Sequence, residues 1–219
     1  MWGRPGTILA GRELGLDVTA SIEWLRSRRD TDGLWTQQLA GRSSRFLGPA
    51  HGFAGCVLAL GDAAAVSETL QRLAVEADGL VNWPPLAGKG LVDANSDGRI
   101  RTQWCHGAPG IVATLAHLLD EELAVAGGEL TWRAGPLRKG ANLCHGTAGN
   151  GYAFLALLER TGDERWLTRA RAFAMRAADQ VEHGRLHHGR GRYTLWTGDL
   201  GAALYLADCT DGKGAPPLP

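Results

Sequence analysis

A two-glycine step, Gly-x-x-Gly, recurs five times and constrains the fold of this chain more than any other feature. It stands at Gly3–Gly6, Gly52–Gly55, Gly107–Gly110, Gly146–Gly149 and Gly198–Gly201. The second glycines lie 49, 55, 39 and 52 residues apart, a spacing that predicts a repeat architecture of stacked supersecondary units. Glycine makes up 31 of the 219 residues, about twice the usual share of ~7%. Collagen period and low-complexity linkers are both absent, so the glycines have individual places.

Each step introduces an apolar segment rich in Ala and Leu: residues 7–10, 56–60, 111–119, 152–158 and 202–206. These are apolar nearly all round, as buried helices are. Residues 16–29, 66–81 and 163–183 instead carry apolar side chains three and four apart with charges on the other face, the pattern of a helix with one wet side. The unit is therefore an outer helix, a loop, a glycine turn and an inner helix. Glycine suits such a turn because it permits positive φ and close backbone approach. The predicted class is all-α, an α/α toroid with little or no strand, occupying residues 1–209.

Three segments fall outside this pattern. Residues 82–103 contain Trp83-Pro84-Pro85 and Asn95-Ser96-Asp97-Gly98, which predicts a long irregular loop. Residues 210–219 are expected to form a disordered tail. The 39-residue interval leaves little room for an outer helix between Glu121 and Lys139. Five turns also predict an incomplete ring, whose first and last inner helices lack lateral neighbours; a second copy of the chain is expected to cover the seam.

Composition narrows the function. Twenty-three basic and 23 acidic residues cancel, so the broad basic footprint of a nucleic-acid binder is missing. No apolar run reaches the ~18 residues of a membrane span, and residues 1–6 are too polar for a signal peptide. Four cysteines are too few for a disulfide scaffold, which makes reduced thiols and a cytoplasmic setting the expectation. Phosphate-binding glycine loops and His-Glu-x-x-His are absent.

The chemistry-bearing residues sit on the turns. Three turns begin with histidine: His51-Gly52-Phe53-Ala54-Gly55, Cys105-His106-Gly107-Ala108-Pro109-Gly110 and Cys144-His145-Gly146-Thr147-Ala148-Gly149. If the turns ring one end of a toroid, Cys105, Cys144 and His145 converge as two thiolates and an imidazole. That is a three-ligand zinc set with an open fourth position. A Cys beside a His is more often a buried thiol next to a satisfied imidazole, but two copies at equivalent repeat positions favour the metal. Cys56 and Cys209 read as small apolar residues of buried helices. Residues 185–192 form a basic stretch that reads first as solvated surface and second as an anion site.

The motifs Trp104-Cys105-His106-Gly107-Ala108-Pro109-Gly110 and Cys144-His145-Gly146-Thr147-Ala148-Gly149-Asn150-Gly151-Tyr152, with His51-Gly52-Phe53-Ala54-Gly55 before them, resemble the lanthionine synthetase C-like family. The resemblance runs over nearly the whole chain. It implies an α/α toroid around one zinc ion held by Cys105, Cys144 and His145. It further implies His51 as a catalytic acid or base, Arg101 as a catalytic arginine, His106 as a site residue and Lys139 as a residue linked to glutathione binding. The reaction implied is addition of a cysteine or glutathione thiol to a dehydroamino acid of a peptide or protein, giving a thioether. The alternative is a protein that holds zinc and a thiol or peptide without turnover. Glycan-processing barrels share the toroid but need paired carboxylates on these turns, where this chain has Cys and His.

Overall fold

The computed structural model describes residues 3–39, 41–88 and 101–217. Within them the chain alternates between two layers of helix. The inner layer consists of α1 (Arg4–Glu13), α3 (Phe53–Leu60), α5 (Ala108–Leu115), α7 (Thr147–Thr161) and α9 (Asp199–Asp211). The outer layer consists of α2 (Thr19–Ser27), α4 (Val66–Leu73), α6 (Glu121–Ala134) and α8 (Arg165–His188). Inner helices pack in sequence, α1 on α3, α3 on α5, α5 on α7 and α7 on α9, and each outer helix from α2, α6 and α8 lies across the inner pair it connects. This is the toroidal arrangement the repeat predicts.

The glycine step has a specific structural cause. Its first glycine is the N-cap of every inner helix: Gly3, Gly52, Gly107, Gly146 and Gly198. At the last four a Cβ would overlap the carbonyl six residues back, that of Phe46 for Gly52, Arg101 for Gly107, Gly140 for Gly146 and Arg192 for Gly198, while Gly3 has nothing within reach and a φ of 75°. The second glycine repeats the constraint one turn later: Gly110, Gly149 and Gly201 lie against the carbonyls of Trp104, Leu143 and Leu195. The incoming strand of chain thus crosses directly over the first helical turn, and only hydrogen fits between.

Burial follows the two layers. Every residue of α3 except Leu58, and every residue of α5 except Ala113, is buried. In α8 only Trp166, Ala170, Phe173, Ala174 and Ala177 are buried, one stripe of an otherwise wet helix. Large aromatic side chains fill the space between layers, with Phe154 in ring contact with both Trp166 and Phe173. None of the described helices is long and apolar enough to cross a membrane.

Four expectations need correction. An outer helix does fit between Glu121 and Lys139: α6 has 14 residues. It succeeds in a short interval because Gly127 and Gly128 let it settle onto Val112, Trp83, Leu157 and Trp166, where a Cβ would collide. Residues 66–81 are not one helix. The helix ends at Leu73, and β3 (Val75–Ala77) pairs antiparallel with β4 (Leu80–Asn82). The turn between them, Asp78-Gly79, has φ of 53° and 71°, the positive-φ pair that closes a two-residue hairpin. A second short hairpin joins β1 (Gln37–Leu39) to β2 (Arg42–Ser44). Finally, α9 runs on through Thr210 and Asp211 to its C-cap Gly212, so the first two residues of the expected tail are helical. The Asn95-Ser96-Asp97-Gly98 part of the expected loop lies outside the described residues.

Candidate functional site

The turns stand side by side at one end of the inner helices, fastened backbone to backbone. Cys105, Cys144 and Trp196 occupy equivalent positions, two residues before the first glycine of their turns. The N–H of Cys105 donates to the carbonyl of Cys144 at 3.1 Å, and the N–H of Cys144 donates to the carbonyl of Trp196 at 2.9 Å. On the other side Gly48 lies so close to the Cys105 carbonyl that a Cβ would overlap it. Residues separated by tens of positions in sequence therefore become neighbours.

The two cysteine side chains meet as a result. The Cys105 thiol hydrogen-bonds the Cys144 sulfur, which holds the Cys144 thiol down to about 6 while Cys105 is pushed up by the same bond and by burial. The His145 imidazole also hydrogen-bonds Cys144 and lowers it further. His145 is oriented from behind, its backbone N–H donating to Oδ1 of the buried Asn142 at 3.0 Å. All four cysteines are free thiols. Burial pushes Cys56 up to about 12 and Cys209 up to about 11, so they are inert core residues.

Trp104 and Trp196 meet at a centroid distance of 4.4 Å with their planes tilted by 44°. With Ala50 they form a small apolar cluster around Cys105 and Cys144.

A residue that sequence reasoning missed completes the inner shell. Gln103 is buried, and its Nε2 donates to Cys105 Sγ at 3.0 Å while its Oε1 accepts from Lys139 Nζ at 3.2 Å. Lys139 is thereby tied to the cysteine pair through one amide. Its position two residues before Cys105 is the only signal in the sequence. Asn82 was missed likewise; its Oδ1 accepts from the Ala108 N–H at 2.8 Å, and its Nδ2 donates to the Arg101 carbonyl at 3.4 Å. It pins the backbone of Arg101 to the start of α5.

His51 and His106 face one another at 5.9 Å between ring centroids, and Phe46 touches both. Burial lowers the His51 pKa below the usual imidazole range. His51 also lines a cavity of about 820 Å³ shared with Phe46, Trp24, Trp35 and Arg4. The structure so brings Cys105, Cys144 and His145 into one hydrogen-bonded chain, sets His51 with His106, and connects Lys139 through Gln103.

Two sulfurs and an imidazole have the right donor chemistry for zinc. Among the described residues, however, no three His, Cys, Asp or Glu side chains are arranged as ready metal ligands. The donors are neighbours bonded to each other rather than splayed around a common point.

The chain is similar to known proteins along most of its length. The family model described as lanthionine synthetase C-like protein matches residues 12–217. The chain is 36% identical over 134 residues to glutathione S-transferase LANCL1 of Danio rerio, covering 58% of this chain and 31% of that protein. It is 34% identical over 146 residues to LanC-like protein GCL1 of Arabidopsis thaliana, covering 60% and 32%. The matched part therefore spans about a third of the length of these relatives.

Proposed function

This chain belongs to the lanthionine synthetase C-like family, and on that premise we propose that it adds a thiol to a dehydroamino acid in a peptide or protein, forming a thioether. The observation that carries the reading is the Cys105–Cys144–His145 chain beside the His51–His106 pair. The name of the zebrafish relative, glutathione S-transferase, supports a glutathione thiol as one donor; a cysteine of the peptide itself is the other.

The reaction needs a thiolate, a place for developing negative charge and a proton for carbon. The thiol loses its proton and its sulfur attacks the β-carbon of the dehydroamino acid. A C–S bond forms, and the C=C electron pair moves toward the carbonyl as an enolate. The α-carbon then takes up a proton, so the thiol proton lost is balanced. His51, held neutral by burial, suits the role of base toward the thiol and, once protonated, of acid toward the α-carbon. His106 stands close enough to share that work. Arg101 supplies positive charge for the enolate, and Lys139 holds an anionic end of the thiol donor.

Zinc belongs to the same proposal, with Cys105, Cys144 and His145 as its ligands. When bound, it would stabilise a substrate thiolate near neutral pH. The reduced cysteines suit a cytoplasmic protein.

A second reading has one observation in its favour. Since the three donors are not arranged as ready ligands, a protein that binds thiol or peptide without turnover is the alternative. Incubation with a dehydrated peptide and a thiol separates the two. Steady loss of free thiol, abolished in Cys105→Ala, supports the enzyme; binding without thiol loss supports the alternative.

A further inference from the structure

The chain carries no net charge, yet its cations are unevenly spread. One cavity of about 610 Å³ gathers Arg138, Lys139, Arg176, Arg185, Arg190 and Arg192 against two carboxylates, Asp179 and Asp199. Both carboxylates are engaged already: Asp179 lies 3.9 Å from Arg176 on the same helix, and Asp199 accepts the backbone N–H of Arg192 at 2.8 Å. The surplus arginines come from three pieces of chain, namely the approach to the Cys144 turn, α8 and the segment after α8. The negative end of the α8 dipole favours cations in its last turn, which accounts for Arg185 but not for Arg138 or Arg176.

The cavity is long. Its α8 wall extends from Arg176 to His188, about 18 Å of helix, which matches about five residues of extended peptide. A single small anion meets only part of that wall. A chain bearing several carboxylates meets all of it, and each guanidinium offers a planar fork to one of them. Gly140, Ala141 and Asn142 also line the cavity, and Asn142 is the residue that orients His145. The cavity thus borders the chain segment that runs into the Cys144 turn.

We propose that this cavity docks an acidic segment, four or five residues with several Asp or Glu, of the peptide or protein on which the chain acts. The proposal rests on the thiol-addition reading for its purpose, but the docking itself needs no turnover. The test is fluorescence polarisation of a labelled glutamate-rich pentapeptide on the full chain, with neither thiol nor electrophile present. Binding is expected to weaken between about 0.05 and 0.3 M salt, as screening requires, and the glutamine analogue is expected not to bind. The double variant Arg138→Ala/Arg190→Ala should bind roughly tenfold more weakly. Arg26→Ala/Arg133→Ala, the same charge change on α2 and α6, should bind as the parent does. Equal binding of the glutamine peptide, equal loss in the second double variant, or displacement by inorganic phosphate at the concentration of the peptide itself overturns the proposal. Binding without any thiol consumption leaves the docking site standing and removes only the thiol-addition reading.

Discussion

Cys105 and Cys144 are 39 residues apart in sequence, yet the backbone N–H of one is bonded to the carbonyl of the other at 3.1 Å. That bond joins two glycine turns at equivalent positions of the repeat, and it brings their thiols within hydrogen-bonding reach. The chemistry of the site is thus a by-product of stacking. Any change that separates the turns also separates the thiols.

Thiol reactivity should report this directly. With zinc removed by chelation, iodoacetamide at pH 7 is expected to label Cys144 first, since its thiol is held down to about 6. Cys56 and Cys209 should resist until the chain is unfolded, being buried and pushed up to about 12 and about 11. In Cys105→Ala the donor to Cys144 is gone, and labelling near pH 5, below the pKa of the thiol, should slow by roughly tenfold for each unit its pKa rises. Peptide mass mapping of the labelled protein gives the order; indistinguishable rates at all four cysteines would contradict it.

Two glycine substitutions should have opposite signs. Gly149→Ala drives a Cβ into the Leu143 carbonyl, a backbone collision that neither turn can relieve, and should cost about 3 kcal/mol or more. Gly184 lies within α8, and a Cβ there meets nothing within 4 Å. Gly184→Ala should therefore stabilise by about 0.5–1 kcal/mol through helix propensity. Urea unfolding midpoints at unchanged slope measure both.

The same contrast explains what the sequence makes legible. Gly-x-x-Gly is readable because one steric requirement recurs at the last four turns, and the apolar text after it marks the inner layer. The hairpin of β3 and β4 hides inside an apolar spacing that also fits a helix; Asp78-Gly79 was its one available signal. The helix α6 hides because Gly127 and Gly128 lower helix propensity while making room for Trp83 and Trp166, a tertiary gain invisible to local pattern. The cysteine pair could be read from repeated Cys-His-Gly motifs. Gln103 could not, since only the fold shows that its amide spans from Cys105 to Lys139.

Burial of His51 sets a pH dependence. As pH falls below about 6.5 the unfolded chain takes up a proton at this imidazole while the folded chain resists it. The unfolded state then binds more protons, so stability declines toward acid. His51→Gln should remove part of the decline below about pH 6.5. Parallel denaturation series of parent and variant test this, and curves of identical slope would show that His51 titrates as a free imidazole.

Zinc should stabilise the chain in a thiolate-dependent way. At a hundredfold excess over its dissociation constant the metal is expected to add about 2.7 kcal/mol to unfolding. Ligation requires both thiols to lose their protons, so the gain should shrink as pH drops. Thermal unfolding with and without zinc, at acid and neutral pH, measures it alongside metal content, expected at one per chain. A gain that is equal at both pH values, or that survives in Cys144→Ala, would remove zinc from Cys105, Cys144 and His145.

The last expectation concerns the seam. The first and last inner helices, α1 and α9, make at most marginal contact among the described residues. On α9, Leu200 and Leu204 remain 50% and 45% exposed, although an inner helix of this fold otherwise buries such residues. Covering a Leu is worth about 1.5–3 kcal/mol when complete, and roughly half that is still available at each. Two copies meeting along α9 would collect it twice, since a two-fold interface uses the same patch on both chains. Sedimentation should accordingly show a dimer at micromolar concentration, and Leu200→Glu/Leu204→Glu should return it to monomer without loss of helical signal. A parent protein that sediments as a well-folded monomer would mean that five inner helices tolerate an open edge in water.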